Sequence, residues 1–219
     1  MDIKIDSKSF FVFDLDDTLY YEIDFLKSGY RAVAQYLYPI IKENLYDTMI
    51  DLYRKGVHAF SYIVDKYNDK NITIDELFHI YRFHDPVIKL RPDAFDFLKK
   101  LQTQNIPIGL ITDGRSITQR NKLKALWIDN YFDDIIISEE FGAEKPNAKN
   151  YEYFSNKYPD YNFFFFADNL DKDFIVPIEL GWVSFCLLDK GFNIHRQNTI
   201  GKYNNIYFID SFYDINILH

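Results

Sequence analysis

The chain has 219 residues, of which 47% are hydrophobic and 26% charged, and these values are ordinary for a globular protein with one core or one core and an insertion. Its net charge of −8, without any block of lysines and arginines, argues against binding to nucleic acid or to an anionic membrane surface. Cys186 is the only cysteine, which excludes an intrachain disulfide framework and a cysteine-based zinc site.

The first residues contain no basic flank followed by an apolar stretch, so they do not resemble a signal peptide. No apolar run approaches the roughly 20 residues that a membrane-spanning helix needs. We therefore expect a cytoplasmic protein that binds neither a membrane nor nucleic acid.

The first informative stretch is an apolar run, residues 10–13, that leads directly into Asp14, Asp16 and Asp17. A short apolar run of this kind is typical of a buried strand, and in open α/β sheets the chemistry lies beyond the carboxyl ends of such strands. Asp14 and Asp16 would emerge there together, with Leu15 turned away between them. Because two close carboxylates repel each other, a hard cation such as Mg²⁺ would stabilise the pair.

Residues 20–85 have helical character. Apolar residues recur at intervals of three and four from Ile23 to Leu37, and Pro39 is expected to end or kink that helix. A second helical region runs over residues 45–67, and a third helix begins near Thr73 or Asp75 after a turn at 68–71. The pattern predicts an all-helical insertion after the first strand.

From about residue 90 the predicted elements alternate between strands and helices. Strands are predicted at 107–111, 135–137, 163–167 and 183–187, with a last small strand at 207–209 and a turn or helix over 211–218. The alternation predicts an α/β fold with a parallel, Rossmann-like sheet covered by helices. The core domain would comprise residues 1–19 and 86–219.

Polar residues follow three of these strands. Besides Asp14 and Asp16, Thr112 ends the second predicted strand and Asp168 follows the fourth, with Asp173 five residues later. Lys145 lies on a loop between them. The carboxyl ends of adjacent parallel strands converge, so we expect these side chains to share one crevice.

The stretch from Asp14 to Thr18 resembles motif I, DxDxT, of the haloacid dehalogenase-like (HAD) superfamily, and the resemblance extends over nearly the whole chain. Thr112 matches motif II, Lys145 with Pro146 matches motif III, and Asp168 with Asp173 matches motif IV, although Ala167 replaces the usual glycine. The family combines a Rossmann-like core with a helical C1 cap inserted after the first strand. Most of its members are Mg²⁺-dependent phosphohydrolases.

The resemblance implies a role for each motif residue. Asp14 would be the nucleophile that forms an aspartyl-phosphate, and Asp16 the general acid/base. Mg²⁺ would be bound by Asp14, Asp168 and the backbone carbonyl of Asp16, with support from Asp173 or, as a competing candidate, Asp171. The expected phosphate-binding residues are Leu15, Asp16, Thr112, Asp113, Gly114 and Lys145.

Predictions of substrate contacts rest on proximity to the motifs. Tyr20 and Tyr21 follow motif I, and Arg115 follows Thr112, Asp113 and Gly114, so these three residues are predicted to face the substrate. His58, His79, His84 and His195 share no metal-ligand spacing, and we assign them structural or surface positions.

The predicted function is Mg²⁺-dependent hydrolysis of a small phosphorylated metabolite by a monomer or homodimer. A phosphomutase that resembles β-phosphoglucomutase keeps all four motifs and stays open as an alternative. A haloacid dehalogenase needs neither Mg²⁺ nor an acid/base aspartate, so Asp16 and Asp168 disfavour it. The intact motifs disfavour a binding protein without catalysis, and nothing in the sequence identifies the substrate.

Overall fold

A computed structural model describes residues 1–197 and 205–218 of the chain. Backbone packing divides it into two compact units, one formed by Met1–Glu22 with Lys89–His219 and the other by Ile23–Ile88. The strands are β1 (Asp2–Lys4), β2 (Ser9–Phe13), β3 (Ile108–Thr112), β4 (Asp134–Ile137), β5 (Asn162–Ala167), β6 (Val183–Leu187), β7 (Ile206–Ile209) and β8 (Asn216–Leu218). The helices are α1 (Glu22–Ile41), α2 (Tyr46–Arg54), α3 (Ala59–Lys66), α4 (Ile74–Phe83), α5 (Pro92–Thr103), α6 (Ser116–Ala125), α7 (Ser138–Phe141), α8 (Ala148–Lys157) and α9 (Ile175–Glu179).

The first unit is built on a six-stranded sheet with the order β4-β3-β2-β5-β6-β7, in which every neighbouring pair is parallel. The predicted α/β fold with a parallel sheet is thus confirmed. Strand β2 is central and all five of its residues are buried. Its neighbours β3 and β5 end beside it, which brings three strand ends to one edge of the sheet.

A second, smaller sheet was not foreseen from the sequence. Strands β1 and β8 pair in parallel, with Asp2 opposite Asn216 and Lys4 opposite Leu218. The prediction of a turn or helix over 211–218 is therefore only partly right, because a short 3-10 turn at Phe212–Asp214 leads into a strand. Strands of three residues are too short for apolar alternation to reveal them.

Aromatic side chains fill the core on both faces of the sheet. Alternate residues of a strand point to opposite faces, so Phe11 and Phe13 stack on Phe164 and Phe166 of β5 at 4.8 and 5.1 Å between ring centroids. Fully burying one phenylalanine side chain contributes about 1.5–3 kcal/mol to stability. These contacts fix the central strands and therefore the position of the residues that follow them.

The two tryptophans lie in contrasting environments. On the other face of the sheet, Trp182 stacks on Phe163 with 4.5 Å between ring centroids and is buried. Trp127 follows α6 with a φ of 59° and is 85% exposed. This is the left-handed conformation in which helices often end and for which glycine is usual, so an exposed tryptophan here is strained.

The second unit is entirely helical and contains α2, α3, α4 and most of α1. Helix α1 contains Pro39 and ends at Ile41, so the proline does not end the helix, and the alternative of a kink at Pro39 stays a prediction. The helical region predicted over 45–67 is two helices, separated where Gly56 adopts a φ of 69°. Phe60 packs against Tyr30, Phe78 and Tyr81 at ring-centroid distances of 5.2–5.8 Å.

Short-range caps support these helices. The Thr73 hydroxyl accepts a hydrogen bond from the Glu76 N–H at 3.3 Å and caps α4, which decides between the two predicted capping residues.

Within the described residues, no helix combines the length and the apolar character needed to cross a membrane.

Candidate active site

The carboxyl edge of the parallel sheet carries a small acidic cavity. It has a volume of about 200 Å³ and is lined by Asp14, Asp16, Asp17, Glu22, Asp113, Lys145, Asp168, Asn169, Lys172, Asp173 and His195. The Asp14 N–H donates to the Phe166 carbonyl at 2.9 Å, which continues the β2–β5 ladder into the site. Residues from three strand ends and from two loops therefore meet at one place.

A buried lysine joins two of the aspartates. The Lys145 ammonium binds the Asp14 carboxylate and lies 2.9 Å from the nearest Asp173 oxygen. All three side chains are less than 10% exposed. Although burial opposes a charged ammonium, the two carboxylates raise the pKa of Lys145 well above its usual value. Lys145 is therefore a fixed positive charge beside Asp14.

The loop that carries Lys145 is held by Asp113. One Asp113 carboxylate oxygen accepts the backbone N–H of Lys145 at 3.0 Å, and the other accepts the Lys172 ammonium at 2.9 Å. Asp113 was predicted only as a phosphate-binding residue. Its side chain proves to be a link between the loops of motifs III and IV.

Three carboxylates lie close enough to bind one cation. One oxygen each from Asp14, Asp168 and Asp173 lies within 4.8 Å of the other two. Burial, together with repulsion between the carboxylates, raises the pKa of Asp14 to about 7 and that of Asp168 well above its usual value. A divalent cation would favour the ionised forms, and oxygen ligands of this kind suit Mg²⁺.

Of the two candidates for the supporting carboxylate, the structure places Asp173 in this cluster. Asp173 is 1% exposed, and its backbone N–H donates to the Asn169 carbonyl at 3.0 Å. Asp171 is exposed and lies outside the group of three carboxylates found among the described residues. Since Asp173 also pairs with Lys145, it connects the cation cluster to the lysine.

Asp16 lies in a different electrostatic environment from Asp14. One of its carboxylate oxygens accepts the Lys122 ammonium at 2.7 Å and the Tyr20 hydroxyl, and the other accepts the Gln119 amide at 2.9 Å. Burial acts to raise the pKa of Asp16, but the Lys122 charge and the hydrogen bonds outweigh it and lower the pKa below the usual value. We call Tyr20, Gln119 and Lys122 the Asp16 clamp.

Two members of the Asp16 clamp were not predicted from the sequence. Gln119 and Lys122 are only 1% and 3% exposed, although they lie on α6, a helix of mostly polar residues. The sequence contained a signal, because Gln119 and Lys122 are three residues apart and so share one face of a helix that begins at Ser116, shortly after Thr112.

Thr112 is buried, and both Thr112 and Gly114 form hydrogen bonds within the protein. The Thr112 hydroxyl accepts the Gln119 amide at 2.6 Å. The Gly114 N–H, expected to bind phosphate, donates to the Ser138 hydroxyl at 2.9 Å. The Leu15 side chain is fully buried, as expected from its position between Asp14 and Asp16.

None of the three predicted substrate contacts lines the cavity. Tyr20 is fully buried and donates to Asp16, while the Tyr21 ring packs against Phe192 at 5.2 Å between ring centroids. Arg115 is exposed and pairs with Glu139 at 2.8 Å. His195 is exposed, in agreement with the structural or surface position predicted for it, and it also lines the cavity.

Comparisons with known proteins agree with this architecture. Glyceraldehyde 3-phosphate phosphatase from Methanocaldococcus jannaschii is 28% identical over 194 residues, which cover 81% of this chain and 83% of that protein. The crystal structure of the HAD-hydrolase YfnB from Bacillus subtilis, bound to magnesium, superposes with a TM-score of 0.64 at 17% identity and covers 94% of this chain and 96% of that one. A HAD phosphatase from Thermococcus onnurineus has a TM-score of 0.57 at 21% identity and covers 94% of this chain and 95% of that one.

The family model for haloacid dehalogenase-like hydrolases matches residues 11–160, more than half of the chain. The match includes Asp14, Asp16, Thr112 and Lys145, which the structure brings to one edge of the sheet. This protein therefore belongs to the haloacid dehalogenase-like hydrolase family.

Proposed function

We propose that this protein is a Mg²⁺-dependent phosphomonoesterase that cleaves a small phosphorylated metabolite through an aspartyl-phosphate on Asp14. The observation that carries the proposal is the Lys145 ammonium, buried between Asp14 and Asp173 in the cavity that also contains Asp168. A nucleophilic carboxylate, a fixed cation and a set of carboxylate ligands are thereby brought together at one edge of the sheet.

The carboxylate cluster fits a magnesium ion. Asp14 and Asp168 would hold the ion with the backbone carbonyl of Asp16, and Asp173 would support it. When bound, the ion would neutralise charge on the phosphoryl oxygens. Lys145 lies on the same cavity wall and would contribute a second positive charge to the transferred group.

In the first step, an oxygen of the Asp14 carboxylate attacks phosphorus. The bond from phosphorus to the substrate oxygen breaks, and that oxygen leaves with the electron pair and takes a proton from the Asp16 carboxyl group. Dividing the reaction at an aspartyl-phosphate replaces one difficult displacement by two easier ones. Protonation of the leaving oxygen by a positioned side chain contributes about 10²–10⁴-fold to such reactions.

In the second step, the Asp16 carboxylate accepts a proton from water while the water oxygen attacks phosphorus. The bond between phosphorus and Asp14 breaks, and inorganic phosphate and the free Asp14 carboxylate are regenerated. The Asp16 clamp favours this step, because it holds Asp16 in its ionised form.

The substrate proposed is a phosphate ester of a few carbons. The cavity volume of about 200 Å³ suits a small ligand, and the archaeal relatives that match are named for a triose phosphate. The helical unit Ile23–Ile88 is inserted directly after the motif I strand segment, and we propose that it is the C1 cap. Thr112 and Asp113 of the motif II segment, together with the backbone of Leu15 in motif I, would bind the phosphoryl oxygens.

Phosphate release tests the proposal. The panel consists of glyceraldehyde 3-phosphate, other sugar phosphates, nucleoside monophosphates and an aryl phosphate, each with Mg²⁺ and with EDTA. We expect turnover that requires Mg²⁺ and falls by at least about 10³-fold in Asp14→Asn, since the nucleophile is lost. Asp171→Asn, an exposed carboxylate outside the cluster, is the matched control and should retain activity.

Other outcomes would contradict the proposal in distinct ways. Phosphate release that survives Asp14→Asn would show that Asp14 is not the nucleophile. Phosphoryl transfer between sugars without phosphate release would establish a phosphomutase instead. A folded protein that does neither with any ester would not be a phosphomonoesterase of this class.

A further inference from the structure

The segment that follows β6 belongs to none of the four motifs, yet it contributes His195 to the lining of the cavity. Residues 189–197, which we call the β6 loop, are joined to one another by hydrogen bonds. One Asp189 carboxylate oxygen accepts the backbone N–H groups of Gly191, Phe192 and Asn193 at 2.7, 2.9 and 3.0 Å. The Asp189 N–H donates to the Gln197 side chain at 2.8 Å. The β6 loop is therefore a defined structure rather than an open connection.

The β6 loop binds the main chain and the side chains of the site at separate points. The Ile194 N–H donates to the Asp17 carboxylate at 2.8 Å. The Gln197 amide donates to the carbonyl oxygens of Asp168 and Leu187, both at 2.7 Å. These contacts fix the loop against the ends of β2 and β5.

Asn193 makes a different kind of contact. Its side-chain amide donates to a carboxylate oxygen of Asp168 at 2.8 Å. Since Ile194 and Gln197 already hold the loop, this hydrogen bond is not needed to attach it. The bond acts instead on the orientation of the Asp168 side chain, which is 4% exposed and faces the repulsion of Asp14 and Asp173.

We propose that Asn193 is a positioning residue for the cation site, holding the Asp168 carboxylate in the orientation that binds the metal ion. The inference rests on the proposed function, in which Asp168 is a direct ligand. A carboxylate has acceptor positions on both oxygens, so a hydrogen bond to one of them leaves capacity for a cation. Hydrogen bonds from an amide to a charged carboxylate are among the stronger ones in proteins.

The expected effect is on metal affinity. Partners that orient a metal ligand by hydrogen bonding are typically worth about 10–100-fold in affinity. Asn193→Ala and Asn193→Leu both remove the donor, and the leucine variant keeps a side chain of similar size. We expect either substitution to raise the dissociation constant of the cation by about 10–100-fold, with little change in the melting temperature of the metal-free protein.

Binding is measured without catalysis, with Mn²⁺ as the probe and the electron paramagnetic resonance signal of the free ion as the readout. The titrations compare the metal-free wild type, the two Asn193 variants and Arg196→Ala. Arg196 is exposed on the same loop, so its substitution should leave the affinity unchanged. Mg²⁺ should displace Mn²⁺ from the wild type.

The outcomes separate this inference from the proposed function. If the wild type binds Mn²⁺ and both Asn193 variants bind it equally well, the inference is wrong and the proposed function stands. A lower melting temperature with unchanged affinity would give Asn193 a structural role only and also overturn the inference. A wild type that binds no Mn²⁺ would overturn the proposed metal site itself.

Discussion

Asp14 and Asp16 are separated by one residue, yet their surroundings push their pKa values in opposite directions. Burial and neighbouring carboxylates raise the pKa of Asp14 to about 7, whereas the Asp16 clamp lowers that of Asp16. Pairs of titratable groups with divergent pKa values are how active sites assign different roles to the same residue type. Asp14, the proposed nucleophile, needs a nearby cation to be fully ionised. Asp16, the proposed base, is ionised without a bound metal ion.

The charge of Lys122 is therefore expected to affect catalysis through Asp16. Lys122→Met keeps the length of the side chain but removes the charge that lowers the Asp16 pKa, while the burial that raises this pKa persists. Asp16 must be ionised in the second step, so the acidic limb of the pH profile for hydrolysis of the aspartyl-phosphate should move to higher pH, and this step should slow more at pH 5 than at pH 8. Single-turnover rates of phosphate release from the aspartyl-phosphate across this range measure the shift.

Lys124 provides the control for this substitution, since it is exposed on the same helix. Lys124→Met should leave the pH profile unchanged. Equal losses at both pH values in Lys122→Met would mean that Lys122 supports the fold of the site and not the ionisation of Asp16.

At the level of elements, the first turn of α5 is hydrogen-bonded to residues 211 and 212, near the C-terminal end of the described chain. The Asp93 carboxylate pairs with Arg91 at 3.1 Å and accepts the Ser211 hydroxyl at 2.6 Å and the Phe212 N–H at 3.0 Å. Both charged side chains are less than 10% exposed. This pair joins α5 to the 3-10 turn at Phe212–Asp214.

Asp93→Ala should lower the free energy of unfolding by about 3–5 kcal/mol, because removing one partner of a buried pair leaves the Arg91 charge uncompensated. Urea denaturation followed by circular dichroism measures the loss. Asp96→Ala is the matched control on the same helix, where Asp96 is exposed and bonded to the exposed Tyr213 hydroxyl. A loss below about 1 kcal/mol in Asp93→Ala, similar to that of a surface change, would contradict the argument.

The elements predicted correctly are those that a single continuous run of apolar residues indicates. The apolar run before Asp14 and the one before Asp168 became adjacent buried strands, because a strand buried on both faces has a distinctive composition. Strands β1 and β8 were missed, since their pairing joins residues more than 200 positions apart. Of the two effects predicted for Pro39, an end or a kink of the helix, the end does not occur there, because a proline near the end of a helix disrupts few backbone hydrogen bonds.

The site residues could be predicted only where their neighbours in the sequence indicate their position. The motif residues Asp14, Lys145 and Asp168 were found because they follow recognisable strands. Gln119, Lys122 and Asn193 were missed, because their roles arise from contacts made by the folded chain. Arg115 was expected in the site from its proximity to Thr112, but a helix start can also point to the surface, where Arg115 pairs with Glu139.

For the whole molecule, the acidic cavity couples stability to pH and to the metal. Burial raises the pKa of Asp14 to about 7, of Asp17 to about 6 and of Glu22 to about 8, and it also raises that of Asp168. Unfolded carboxyl groups titrate near pH 4, so between about pH 4 and pH 8 the folded protein binds more protons than the unfolded chain. Without a metal, its stability should therefore fall as the pH rises through this range.

Melting temperatures at pH 5 and pH 8, with EDTA and with Mg²⁺, test this coupling. With EDTA we expect the lower value at pH 8. Because the cation binds ionised carboxylates, the stabilisation by Mg²⁺ should be larger at pH 8 than at pH 5. An equal Mg²⁺ effect at both pH values would show that these carboxyl groups do not control the binding of the ion.

The contrast between the two tryptophans has a spectroscopic consequence. Trp182 is buried against β5, the strand that leads to Asp168, whereas Trp127 is 85% exposed. Aqueous quenchers such as iodide should reach Trp127 and spare Trp182. In Trp127→Phe, the tryptophan fluorescence, excited at a wavelength that tyrosine does not absorb, would come from Trp182 alone and would report on the sheet core during unfolding.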